Sequence, residues 1–251
     1  MKGDSVGEDQ LEATEKELAV GEFTINYATA GNVFPLLLLH GSEPQENWRV
    51  WEPILALADT YKLIAPDLLG YGKSTKPEET PDFRAQAQML KDFVEKLGIR
   101  RLSMMGSGWG GQVCLEFALD WPKSVESMVL VASSYDKDQL KRLQKLGKPT
   151  LIIFAEDDMV TQLKGAYLLR DAIGTSRLEI LGGVARDLRY DFRMSHRLQK
   201  FRAPQVLQLA KSFLSNPEAM VAVPPEMEND LRGVELRKDE RKGKSSLSGT
   251  P

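Results

Sequence analysis

The sequence predicts an α/β fold, with a doubly wound and mostly parallel sheet. Short unbroken apolar runs alternate along the chain with stretches of helical apolar spacing. The runs are continuous rather than alternating, as strands covered on both faces must be. One run, at the start of LSMMGSGWGG (Leu102 to Gly111), feeds a glycine-rich turn and then at once a helical pattern, GQVCLEFAL. In such sheets the working site lies beyond the carboxyl ends of the strands.

The elements follow in order. Phe23 to Ala28 (FTINYA) alternates and is rich in β-formers, which predicts a strand, and Ala30-Gly31-Asn32 makes a turn. Leu36 to Leu39 is a buried strand that stops at His40-Gly41-Ser42. Trp48 to Ala58 has helical spacing, with Trp48, Trp51, Leu55 and Ala58 on one face. Lys62 to Ala65 is a strand, and Pro66 to Ser74 a loop. Phe83 to Leu97 is a helix that Gly98 stops. Leu102 to Met105 is a strand and Trp109 to Leu119 a helix. Strands over Val125 to Ala132, Thr150 to Phe154 and Leu178 to Leu181 alternate with helices near Gln139 to Leu146 and over Leu163 to Ile173. Pro204 to Leu214 is the last predicted helix. This organisation gives one domain over 18–215. A polar acidic tail, 1–17, precedes it, and a tail of mixed charge, 216–251, follows; both are read as disordered.

The 251 residues suffice for one full core. A net charge of -3 gives no field favouring nucleic acid. No stretch approaches the length of a membrane span. The N-terminal residues lack the apolar core of a signal peptide, which predicts a cytoplasmic protein. Cys114 is the only cysteine; it excludes an internal disulfide and reads as a small buried hydrophobe. No metal or cofactor motif is present.

The order of His40-Gly41, then Asp67-Leu68-Leu69-Gly70-Tyr71-Gly72-Lys73-Ser74, then Gly106 to Gly111, resembles the α/β-hydrolase superfamily, in its AB-hydrolase-1 type. Pro149 to Asp158 looks like that family's acid strand and loop. The resemblance covers about Phe23 to Leu214 and implies the α/β-hydrolase fold. A cap usually sits between the strands at Val125 to Ala132 and Thr150 to Phe154. Only Ser133 to Pro149 lie between them here, so a capless protein with an open site is expected.

The resemblance implies a nucleophile, a base, an acid and two backbone oxyanion donors. The elbow pattern G-x-S-x-G reads Gly106-Ser107-Gly108-Trp109-Gly110, so the nucleophile position holds Gly108, which cannot attack. Ser107, one residue early, is the alternative nucleophile. Asp158 takes the acid position, with Asp157 beside it. The base has two registers. One places Arg186 at the histidine position, and arginine cannot accept a proton near neutrality. The other uses His196 and needs an insertion over Arg186 to Ser195. His40 belongs to the strand-end motif, where the family uses it structurally. Backbone N–H groups of Ser42 and Trp109 would form the oxyanion or ligand-binding pair.

Arg186, Arg189, Arg193, Arg197, Lys200 and Arg202 recur at roughly helical spacing, as a solvated face or a patch for an acidic partner or phosphate-bearing ligand. The leading expectation is a pseudo-hydrolase that binds a small acyl or carbonyl ligand, or a protein through its tails or the 186–202 segment. In spirit this is similar to the N-myc downstream-regulated family. One alternative is an atypical esterase or thioesterase using Ser107, Asp158 and His196. Another is nucleophile-free His/Asp chemistry, as the cofactor-free dioxygenases of the superfamily perform.

Overall fold

A computed structural model describes residues 12–182 and 194–222. Eight strands form one sheet: β1 (Thr14–Val20), β2 (Phe23–Ala30), β3 (Phe34–Leu39), β4 (Tyr61–Pro66), β5 (Leu102–Ser107), β6 (Val125–Val131), β7 (Thr150–Ala155) and β8 (Ser176–Leu181). Their spatial order is β1-β2-β4-β3-β5-β6-β7-β8. The pairs β1–β2 and β2–β4 are antiparallel, and every pair from β4 to β8 is parallel. This is the predicted fold class.

Alternation along the central strands explains how unbroken apolar runs serve two cores. Leu37, Leu39, Met104, Met128, Leu130, Ile152 and Phe154 face one side. There they meet helices α1 (Phe83–Lys96), α2 (Trp109–Asp120), α3 (Lys137–Leu143) and α4 (Gln162–Ala172). Leu36, Leu38, Met105, Val129, Val131, Leu151 and Ile153 face the other. There they meet the helical turn Trp48–Asp59 and α6 (Ala203–Ser215), which follows the short α5 (Leu198–Phe201).

Three expectations change. The stretch Trp48–Asp59 is a 3-10 helix, not an α-helix, with Pro53 inside it. Its period of three aligns Trp48, Trp51, Ile54 and Leu57, which are buried, whereas Leu55 is only partly so. The N-terminal tail ends sooner than expected, because Thr14 to Glu17 pair with β2 as the edge strand β1. Expected disorder from residue 216 likewise begins too early: Pro217–Val221 form the helix α7, capped by the Asn216 side chain. The remainder of both tails lies outside the described residues. Among the described residues no helix is long and apolar enough to cross a membrane.

Between β6 and β7 the chain holds one seven-residue helix, α3. The loops after β3, β5 and β7 meet at the carboxyl edge of the sheet.

Candidate active site

The site is built on the turn from β5 into α2. Gly108 stands between them with φ +51° and ψ −120°, a conformation that side chains rarely adopt. The helix begins pressed against β3: a Cβ on Gly110 would lie 2.3 Å from the carbonyl oxygens of both Leu39 and His40. That closeness fixes the register of the turn, so residue 108 is at its tip and Ser107 is not. Ser107 is the last residue of β5 and only 3% exposed. Its hydroxyl accepts a hydrogen bond from Gln199 Nε2 at 3.1 Å.

Asp158 follows β7. Its Oδ1 accepts from the backbone N–H groups of Val160 (2.8 Å) and Thr161 (3.1 Å). Its Oδ2 accepts from Thr161 Oγ1 (2.7 Å) and from His196 Nδ1 (3.1 Å). Burial pushes this carboxyl up, but the His196 and Thr161 hydrogen bonds outweigh it and hold the group below the ordinary aspartate range. Asp157 serves the same turn differently, accepting from Ser195 Oγ at 2.7 Å. The two neighbouring acids thus grip consecutive residues of the segment that carries the histidine.

His196 is the histidine beside Asp158; Arg186 lies outside the described residues. With Nδ1–H donating to the carboxylate, Nε2 keeps its lone pair. That nitrogen is aimed at the tip of the turn: a Cβ on Gly108 would lie 3.0 Å from it. The His196–Asp158 pair thus faces a position with no side chain.

His40 has a different office. It is fully buried; Nδ1 lies 2.7 Å from the Gly41 carbonyl, to which it donates, and Nε2 accepts from Leu68 N–H at 3.0 Å. Burial drives its pKa down to about 4. With both nitrogens engaged it ties β3 to the loop after β4. Asp67, in that loop, accepts from Asn26 Nδ2, Trp48 N and Lys73 N, each at 2.8 Å.

Trp109 opens α2, so its N–H is among those a helix leaves without an internal partner. Its ring lies 6.1 Å from that of Tyr71, whose hydroxyl donates to the Ser42 carbonyl at 3.3 Å. Cys114 is fully buried in the apolar face of α2, and burial raises its thiol pKa far out of the reactive range.

The basic segment is described only from Arg197 onward. Arg186, Arg189 and Arg193 lie outside the described residues. Arg197 turns inward onto Glu43 and Glu46, and Arg202 donates to the Gly182 carbonyl at 2.6 Å. Lys200 lies over the Phe201 ring. Helix α5 is four residues long, too short for the expected repeat. Sequence reasoning missed Thr161, Glu46 and Gln199, since isolated polar residues carry no periodic signal.

The fold and this constellation define an α/β-hydrolase-fold protein. Residues 35–146 match the α/β-hydrolase fold family model, and the chain has that fold. It is 37% identical over 121 residues to the soluble epoxide hydrolase of Corynebacterium sp. (strain C12), covering 48% of this chain and 42% of that one. It is 39% identical over 128 residues to the fluoroacetate dehalogenase of Burkholderia sp., covering 48% of this chain and 41% of the relative. The chain thus aligns with about two fifths of each of these curated relatives. Among solved structures, a predicted CIB-like hydrolase from Thermoplasma acidophilum superposes with a TM-score of 0.73, at 21% identity, over 82% of this chain and 99% of that one.

Proposed function

We propose that this protein is a capless pseudo-hydrolase: an α/β-hydrolase fold that performs no covalent nucleophilic catalysis and uses its elbow site to bind a small acyl or carbonyl ligand. One observation carries this reading. The position that His196 Nε2 faces is Gly108, with nothing to deprotonate. Ser107 does not substitute, because it is buried in β5 and held by Gln199. The Trp109 N–H and the positive end of α2 supply a donor for a carbonyl oxygen.

The test is hydrolysis of short acyl esters, an aryl epoxide and fluoroacetate, the last two chosen from the relatives' names. Wild type is expected to show no turnover and no covalent adduct by intact-protein mass spectrometry. Gly108→Ser is expected to become acylated by an activated ester, and Gly108→Ser with Asp158→Ala far more slowly. An adduct on wild-type Ser107 sinks the proposal.

The assembled dyad favours one second reading, base chemistry without a nucleophile. His196 Nε2 is free to accept a proton from a bound carbon acid, with Asp158 stabilising the imidazolium. It predicts His196-dependent exchange of the acidic C–H of a β-keto ester in D2O. Equal exchange in wild type and His196→Ala rejects it.

A further inference from the structure

Strand β8 closes the parallel end of the sheet, and among the described residues no strand lies beyond it. Its inner edge belongs to β7: the carbonyls of Thr175 and Leu181 accept from the N–H groups of Thr150 and Glu156. Successive residues of a strand aim their N–H and C=O groups at opposite edges. The odd-numbered residues of β8 therefore serve β7, and Ser176, Leu178 and Ile180 turn their backbone groups outward. An edge of this kind is a template for another strand. The side chains follow the same alternation. Leu178 packs on the face that α4 covers, and Leu181 on the opposite one. Arg177 and Glu179 share the face of Leu181 and form an ion pair at 2.6 Å. Arg177 is exposed, and so is Ile180, an isoleucine 39% open to solvent.

Charges on an edge usually keep a second copy away. Here they do so in every register but one. Two copies of β8 can pair antiparallel only where outward groups meet outward groups, which places the two-fold axis on a residue and not between two. An axis at Arg177 sets arginine opposite arginine, and an axis at Glu179 sets glutamate opposite glutamate; like charges directly opposite repel. An axis at Leu178 sets Arg177 opposite Glu179 twice. It also gives the longest overlap, from Thr175 to Leu181. In that register Arg177 and Glu179 fall at a non-hydrogen-bonded pair, where facing side chains come closest.

We propose that β8 is the seat of a homodimer, in which a second copy of this chain pairs antiparallel about a two-fold axis at Leu178. Leu178 exchanges backbone hydrogen bonds with the partner's Leu178, and Ser176 with the partner's Ile180. Arg177 faces the partner's Glu179, and Glu179 the partner's Arg177. The interface is self-complementary, as a two-fold contact must be, and it joins the two sheets into one.

The experiment is sedimentation equilibrium and native mass spectrometry of the full chain. Wild type is expected to form dimers in the micromolar range. Arg177→Glu and Glu179→Arg each set like charges opposite at both pairs, and each should weaken the dimer at least tenfold. Mixed in equal amounts, these two variants should form a heterodimer, which their masses resolve, because every charge then meets its opposite. A chain carrying both substitutions should dimerise as wild type does, which also shows that the exchanged charges leave the fold intact. Hydrogen exchange followed by NMR should protect the N–H groups of Leu178 and Ile180 in the dimer and leave those of Arg177 and Glu179, already bonded to β7, unchanged. A wild type that stays monomeric throughout that range overturns the dimer. A dimer that both single variants keep, or whose Leu178 amide exchanges as fast as in the monomer, overturns β8 as its seat. A mixture of the two variants that stays monomeric overturns the register.

Discussion

The two histidines of this chain stand at the same edge of the sheet and differ in almost every other respect. His40 is fully buried, spends both ring nitrogens on backbone groups, and has its pKa driven to about 4. His196 is partly exposed, spends one nitrogen on Asp158, and turns the other toward Gly108. One histidine is a bracket between loops. The other keeps one ring nitrogen turned toward a residue with no side chain. A histidine's function is read from which nitrogens are already bonded, not from the motif it sits in.

Acid titration should break this comparison most visibly. Unfolded, His40 protonates near pH 6.5; folded, it resists until about pH 4. As pH falls between those values the unfolded chain gains a proton that the folded chain refuses. Stability at neutral pH is therefore lost across that window, by an amount on the order of 3 kcal/mol. Urea unfolding in wild type and His40→Gln should show it: the variant loses this slope. It should also be about 2–3 kcal/mol less stable at pH 7, because its side chain cannot meet both backbone partners. An unchanged slope would refute the bracket.

Gly108→Ser sharpens the other side. The left-handed backbone costs a side chain about 1–3 kcal/mol, so the variant should unfold at lower urea even as it gains a group at the base. Wild-type stability in this variant would show that the turn relaxes.

Asp158→Ala should cost about 1–2 kcal/mol, since the carboxylate serves two backbone N–H groups as well as His196 and Thr161. Its pKa lies below the ordinary 3.8, so the stability it confers is present above that value and disappears as pH falls through the folded pKa. That loss lies at the acid end of the His40 window and beyond it, and the two can be separated in one titration. His196→Ala should have the smallest effect, within about 1 kcal/mol, because the ring is partly exposed and its removal leaves Asp158 with three other donors. A larger cost would mean that His196 is a bracket too.

Much of this was legible in the sequence. The parallel sheet followed from the unbroken runs, and the elbow from the glycines around Gly108. Asp158 came from its place after the strand at Thr150. His196 was one of two candidates, and spacing could not choose between it and Arg186, because the choice depends on how Ser195 and His196 meet Asp157 and Asp158 across the fold. Strand β1 was missed because most of its residues, TEKELAV, are polar and exposed on an edge, with only Leu18 and Val20 turned to the core. The 3-10 helix was misjudged because periods of 3.0 and 3.6 share their first apolar positions, Trp48 and Trp51. Glu46 and Gln199 could not be found at all, since their neighbours, Arg197 and Ser107, are set only in the assembled fold.

The aim of His196 at residue 108 also bears on how this chain can change. Two of the four glycine codons lie a single base from codons for serine and for aspartate. A charge-relay pair held in register with an empty tip needs no second event to meet a newly arrived hydroxyl or carboxylate. On the proposed reading, a single substitution at residue 108 would separate reactivity from silence, and a random library at that codon would sample the whole distance.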